Sequence, residues 1–165
     1  MARYVIDTNL AIVANGDDEN VNIDCRLAAV KLLQKATEKG RIFLDSGGAI
    51  QSEYRRYLNP KGQPGVGDRF YLEVINSNPS IITRIDVEKS ASGQYVDLPQ
   101  ALIDAGFDPS DRVFAAVAKK SKAKVYNAVD TDWLHHIRII EENGIRVVFV
   151  CGKVSDEWRS DQTYR

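Results

Sequence analysis

Five short apolar runs, separated by segments of helical periodicity, constrain this chain most. They are Arg3–Asp7 (RYVID), Arg41–Asp45 (RIFLD), Ile81–Ile85 (IITRI), Ala123–Val129 (AKVYNAV) and Arg146–Cys151 (RVVFVC). Runs of this length and composition read as strands. Strands alternating with helices predict an α/β fold, a three-layer α/β/α arrangement around a central, mainly parallel sheet. In such sheets, sites form beyond the C-terminal ends of the strands. Asp7, Asp45 and Asp130 all fall at such ends. A carboxylate at the end of a buried strand is costly unless something pairs or neutralises it.

The helices are read from caps and stops. Asp24 is placed to cap a helix carrying Leu27, Ala28, Leu32, Leu33 and Ala36, with Gly40 past its end. Ser46 is placed to cap a helix through about Leu58, which NPKGQPGVG terminates. Asp68–Ser77 reads as a helix and Leu98–Ala105 as a short one. Asp108 and Pro109 read as the N-cap and first residue of a helix through RVFAAVAKK. Asp132–Asn143 reads as one helix closed by Gly144, and Ala14–Asn22 as a loop. The expected organisation is one domain over residues 1–151, with 59–105 as an elaboration on the sheet and 152–165 as a polar, surface-bound or mobile tail.

Composition narrows the class. No apolar run approaches the length of a membrane span, and the N-terminus lacks the pattern of a secretory signal. The two cysteines, Cys25 and Cys151, have no CxxC spacing, and are read as buried thiols in a reducing, cytoplasmic setting. The net charge of −1 does not by itself point to nucleic acid. If several acids were gathered on a metal, however, the remaining surface would carry a basic excess.

Each acid has a structural and a functional reading. Asp7 is either a cap after the strand or a carboxylate projecting into a cleft, with Thr8 and Asn9 able to hold it by hydrogen bonds. Glu53 lies beside the apolar positions Ile50, Tyr54, Tyr57 and Leu58, so it is either a boundary acid paired with a nearby arginine or a carboxylate facing a metal. Asp111 sits three residues after Asp108, where an acid complements the helix dipole, yet the apolar stretch after it turns that helix end inward. Asp130 and Asp132 serve a turn or a site. His135 and His136 are adjacent, cannot share a helix face, and read as surface or partly packed. Acids converging without His or Cys favour a hard divalent cation with oxygen ligands, Mg²⁺ or Mn²⁺. That chemistry suits phosphodiester hydrolysis.

In order and spacing these stretches resemble the PIN-domain ribonucleases. VIDTN matches the N-terminal motif and supplies Asp7, with Thr8 and Asn9 in the usual following places. IQSEYRRYL supplies the helical acid Glu53, for which Glu73 is a competitor. DRVFAAVA resembles the third motif and supplies Asp111. NAVDTDWL resembles the fourth and supplies Asp130, with Asp132 and Trp133 behind it; Ala128 stands where the family often has Thr or Ser. The resemblance spans Arg3 to about Cys151. It implies a metal-dependent endoribonuclease acting on single-stranded RNA, with Asp7, Glu53, Asp111 and Asp130 as catalytic metal ligands and Asp132 in support. Arg55, Arg56 and Lys61 are then candidates for phosphate contact, against the alternative of a solvated helix face. Partners it leaves open are single-stranded or structured RNA, an antitoxin-like protein and a second copy of the chain, in a toxin-type or defence-linked role.

Other classes fit less well. A haloacid-dehalogenase-like phosphatase needs DxD, and Asn9 stands at its second acid. A response-regulator receiver needs an acidic pair at the first strand, which offers only Asp7. No P-loop or GxGxxG occurs. The competing reading is a PIN-like module that binds RNA or protein without cutting.

Overall fold

The computed structural model describes residues 1–160. Five strands form one all-parallel sheet: β1 (Arg3–Ile6), β2 (Arg41–Asp45), β3 (Ile82–Ile85), β4 (Lys124–Asn127) and β5 (Val147–Phe149). Their order is β3-β2-β1-β4-β5, with Tyr4 beside Ile42, and Val5 and Val147 flanking Val125. The helices are α1 (Thr8–Asn15), α2 (Ile23–Lys39), α3 (Ala49–Tyr57), α4 (Val66–Asn76), α5 (Gln100–Asp104), α6 (Arg112–Ser121), α7 (Thr131–His135) and α8 (Ile137–Glu142). They cover the sheet as the outer layers of an α/β/α fold. Tyr4, Val5 and Ile6 are buried, because a central parallel strand is packed on both faces. No described helix is long and apolar enough to cross a membrane.

The chain runs from β1 to β2 and β3 on one side, then returns to place β4 on the other side of β1. The strand order therefore reverses at β1/β4. Such a reversal is the usual binding place in open α/β sheets, because the loops leaving the two strands diverge.

Several local expectations are corrected. A helix, α1, follows β1 directly. Asn22, not Asp24, caps α2, its side chain accepting from Cys25 N at 2.7 Å. The buried stripe of α2 is Cys25, Ala29, Leu33 and Ala36, and Leu27 is exposed. Their spacing of four, four and three residues makes one helix face, and α1 and α4 pack against α2. Gly48, not Ser46, is the N-cap of α3, and the Asp45 carboxylate satisfies its first amides, accepting from Ala49 N and Ile50 N at 2.8 and 2.9 Å. That accounts for its burial without a metal. The helix expected over Asp132–Asn143 is broken at His136 into α7 and α8. Residues 59–105 supply α4, α5 and the edge strand β3.

Helix α4 approaches α1 closely at Gly67, where a Cβ would lie 2.0 Å from the carbonyl oxygen of Ala11. Only glycine allows that spacing.

The cysteines are not free thiols. Cys25 and Cys151 form a disulfide across a sequence separation of 126, with their Cα atoms 4.9 Å apart. Sequence spacing carries no sign of this, because the fold alone brings the start of α2 to the segment after β5. The argument for a reducing compartment loses its basis. Of the tail, residues 161–165 lie outside the described residues. Before them, Trp158 is buried and its backbone carbonyl accepts from Asn22 N at 2.9 Å, fastening the segment to the start of α2.

Candidate metal centre

Asp7, Asp111 and Asp130 each present a carboxylate oxygen such that the three lie within 4.8 Å of one another. They come together from three elements. Asp7 ends β1, its amide donating to Tyr126 O at 3.1 Å. Asp130 follows β4. Asp111 ends a short 3-10 turn, Pro109–Asp111, that runs into α6.

Asp7 is the N-cap of α1 and also belongs to the acid cluster. As N-cap of α1, its Oδ1 accepts from Thr8 N at 3.0 Å. Its Oδ2 accepts from the Asn9 side-chain amide and from Trp133 Nε1, the latter at 2.9 Å. Asp130 likewise caps α7, its Oδ1 accepting from Asp132 N at 2.9 Å. The cap engages one oxygen of Asp130, whereas both oxygens of Asp7 accept hydrogen bonds.

Asp111 departs from the expected N3 position. It precedes α6 and makes no side-chain cap hydrogen bond. The turn that delivers it is set by Asp108, whose Oδ1 accepts from both Ser110 N and Ser110 Oγ at 2.9 Å. These bonds hold the Asp108 carboxyl below its usual range.

An asparagine pair fastens the segments after β1 and β4 together. Asn9 Nδ2 donates to Asn127 Oδ1 at 2.8 Å, and Asn9 Oδ1 accepts from Ala128 N and Val129 N. Asn127 Nδ2 donates to Asp130 O, and its Oδ1 accepts from Asp130 N. The main-chain amide of Ala128 thus serves the network without a hydroxyl there. Asn127 and Trp133, both fully buried, escape the sequence reading as site-supporting residues. The available signals are a lone amide inside an apolar strand and a tryptophan just after an acid pair.

Burial and mutual repulsion dominate the electrostatics. Asp7 is raised to about 8, first by burial and then by the charge of Asp130, against the opposing bonds from Trp133, Thr8 and Asn9. Asp111 is raised to about 10 by burial, then by Asp7, Asp130 and Asp132. Asp130 is also raised, chiefly by burial. Three carboxylates this close do not ionise together without a compensating cation.

The other expected ligands stand apart from this group. Glu53 is partly buried on α3, 3.7 Å from Arg56, and is not one of the three acids whose oxygens converge. That arrangement is its bland reading, a boundary acid paired with an arginine one helical turn on. Its competitor Glu73 lines a groove between α2 and α4 beside Leu33 and Phe70. Asp132 Oδ2 accepts from Asp108 N at 3.1 Å, and its Oδ1 lies 3.1 Å from His136 Nδ1. It contributes charge to the site from the rim. His136 packs edge-on to Phe107, as a partly packed histidine should.

The donor set fits a hard divalent cation. All three groups are carboxylates, and their oxygens are spaced for one shared ion. Next to Asp7, the Thr8 hydroxyl is buried without a protein partner, the only such side-chain atom among the described residues. No family model matches the chain, and a search of curated proteins finds no match.

Proposed function

We propose that the protein is a metal-dependent endoribonuclease that hydrolyses phosphodiester bonds of single-stranded RNA, using Asp7, Asp111 and Asp130 to hold Mg²⁺ or Mn²⁺. The observation that carries this reading is the convergence of the three carboxylates at the β1/β4 switch point. Such an ion lowers the pKa of a water and steadies the phosphoryl oxygens of an in-line displacement.

The chain's own residues have defined parts in this reading. Asp7, held by three donors, is the fixed ligand. Asp111, free of cap bonds, and Asp130, with one oxygen engaged, complete the set. Asp132 stands at the rim, where it can hold a water, and the Thr8 hydroxyl is buried beside Asp7. Glu53 is given no ligand role, because it pairs with Arg56 instead. The resemblance of VIDTN, DRVFAAVA and NAVDTDWL to PIN-domain ribonucleases supports RNA as the substrate class. The Cys25–Cys151 bond weighs against a reducing cytoplasm for the bonded form, since such bonds are rare there.

The test is cleavage of a labelled single-stranded RNA by purified protein with Mg²⁺ or Mn²⁺, with chelator as control. Cleavage that needs metal and is lost in Asp111→Asn supports the reading. RNA binding without cleavage replaces it with the binding-module reading.

A further inference from the structure

A second feature, a groove, lies where the end of α3 and the following loop meet α4. It encloses about 520 Å³ and is lined by Arg55, Arg56, Tyr57, Lys61, Tyr71 and Ile75, among others. Its chemistry is mixed in a particular way. Arg55 and Lys61 are exposed and have no carboxylate within 4.0 Å among the described residues. Arg56 reaches Glu53 at 3.7 Å, yet its side chain stays 72% exposed.

The tyrosines of α3 divide sharply. Tyr54 is fully buried, and its hydroxyl donates to Ile6 O at 2.5 Å. Tyr57, three residues on, is 53% exposed. Ile75 of α4 is also exposed, at 42%. An exposed aromatic ring beside an apolar flank and three cations is the combination that binds unpaired nucleic acid: rings stack on bases while cations follow the phosphates. A duplex hides its base faces and cannot use the ring. A second copy of the chain in a two-fold dimer would set its own Arg55, Arg56 and Lys61 against the same three cations.

We propose that this groove is a subsite for an unpaired RNA base, with Tyr57 as the stacking platform and Arg55, Arg56 and Lys61 holding the flanking phosphates. The proposal rests on the single-stranded RNA reading above and adds where the strand is held. Tyr57 is here a binding residue, set apart from the aspartates.

The experiment is fluorescence anisotropy with a short labelled oligoadenylate, in chelator so that no cleavage intervenes, over a range of salt. Tyr57→Ala should weaken binding roughly tenfold or more with an unchanged salt slope, because an uncharged ring displaces no counterions from the strand. Tyr57→Phe should bind as the wild type does. The double variant Arg55→Ala/Arg56→Ala should flatten the salt slope, by about 0.7 for each phosphate it no longer neutralises. Thermal midpoints close to wild type would show that the variants are folded, as expected for exposed positions.

Wild-type affinity in Tyr57→Ala would overturn the proposal. So would an equal loss in Tyr57→Phe, which would mean that the hydroxyl, not the ring, touches the RNA. A doubled mass in sedimentation that Tyr57→Ala abolishes would also overturn it, assigning the groove to a second copy. The two readings fail separately. A protein that binds the oligonucleotide through Tyr57 but never cuts it with metal loses the nuclease reading and keeps the groove. One that cuts RNA and is indifferent to Tyr57 keeps the first and loses the second.

Discussion

Trp133 Nε1 donates to Asp7 Oδ2 at 2.9 Å across a sequence separation of 126. A fully buried indole must find an acceptor or lose a hydrogen bond. Here its acceptor is the most enclosed carboxylate of the candidate metal centre, so the α7 ring orients the β1 acid. Trp133→Phe keeps an aromatic ring and deletes the donor. It should cost about 1–2 kcal/mol of stability and push the Asp7 carboxyl further up, since this bond lowers it. Mn²⁺ titrations at several pH values, read by thermal shift, should then show weaker binding at neutral pH and recovery at higher pH. An unshifted pH dependence would leave Trp133 a packing residue only.

Metal stabilisation distinguishes the ligands. A cation binding only the folded form should stabilise wild type by roughly 2.7 kcal/mol at a hundredfold excess over its dissociation constant. Asp111→Asn should lose most of that shift and all metal-dependent cleavage. Glu53→Gln should keep the greater part of both, because Glu53 stands outside the group. A full metal shift in Asp111→Asn, or its loss in Glu53→Gln, would reverse the assignment.

The pH dependence of the metal-free protein has a definite sign. Asp7 and Asp111 have folded values of about 8 and about 10 against an ordinary value of 3.8. Above that ordinary value the folded state binds more protons than the unfolded state, so stability falls as pH rises. In chelator, the melting temperature should decline from about pH 4, near the unfolded value, until pH passes the folded values of about 8 and about 10. Asp7→Asn removes a group that must hold a proton in the folded state at neutral pH, so it should raise the metal-free midpoint there, flatten the decline, and shrink the gain from Mn²⁺. A mutant that melts lower without metal and keeps the full gain would make Asp7 a cap residue alone.

The disulfide closes most of the chain into one loop, Cys25 to Cys151. Loop entropy puts its contribution on the order of 4–5 kcal/mol. Reductant should lower the wild-type midpoint markedly and leave that of Cys25→Ser/Cys151→Ser unchanged. Thiol titration of unfolded, unreduced protein should find no free cysteine.

Gly67→Ala should destabilise by about 1–3 kcal/mol. The added Cβ meets backbone at Ala11, not a flexible side chain, so α1 and α4 must separate. Urea unfolding measures the loss, and a neutral result would show that the helices can part freely.

The fold class was legible from local chemistry. Strand periodicity, turn glycines and prolines, and the alternation of elements are properties of neighbouring residues, and each sheet strand foreseen in RYVID, RIFLD, IITRI, AKVYNAV and RVVFVC is present, most of them trimmed at their ends. Asp7, Asp111 and Asp130 were legible for the same reason: each sits where a strand or a turn delivers a side chain to the C-terminal edge. Tertiary structure decided which acids meet. Glu53 was read as a ligand with them and Asp45 falls at a strand end as Asp7 does, but one turns to Arg56 and the other closes the first turn of α3. The disulfide, the Trp133–Asp7 bond and the Asn9–Asn127 pair were decided there too. Each joins residues more than a hundred positions apart, and such pairings exist only once the sheet order has placed β4 beside β1 and the segment after β5 beside α2.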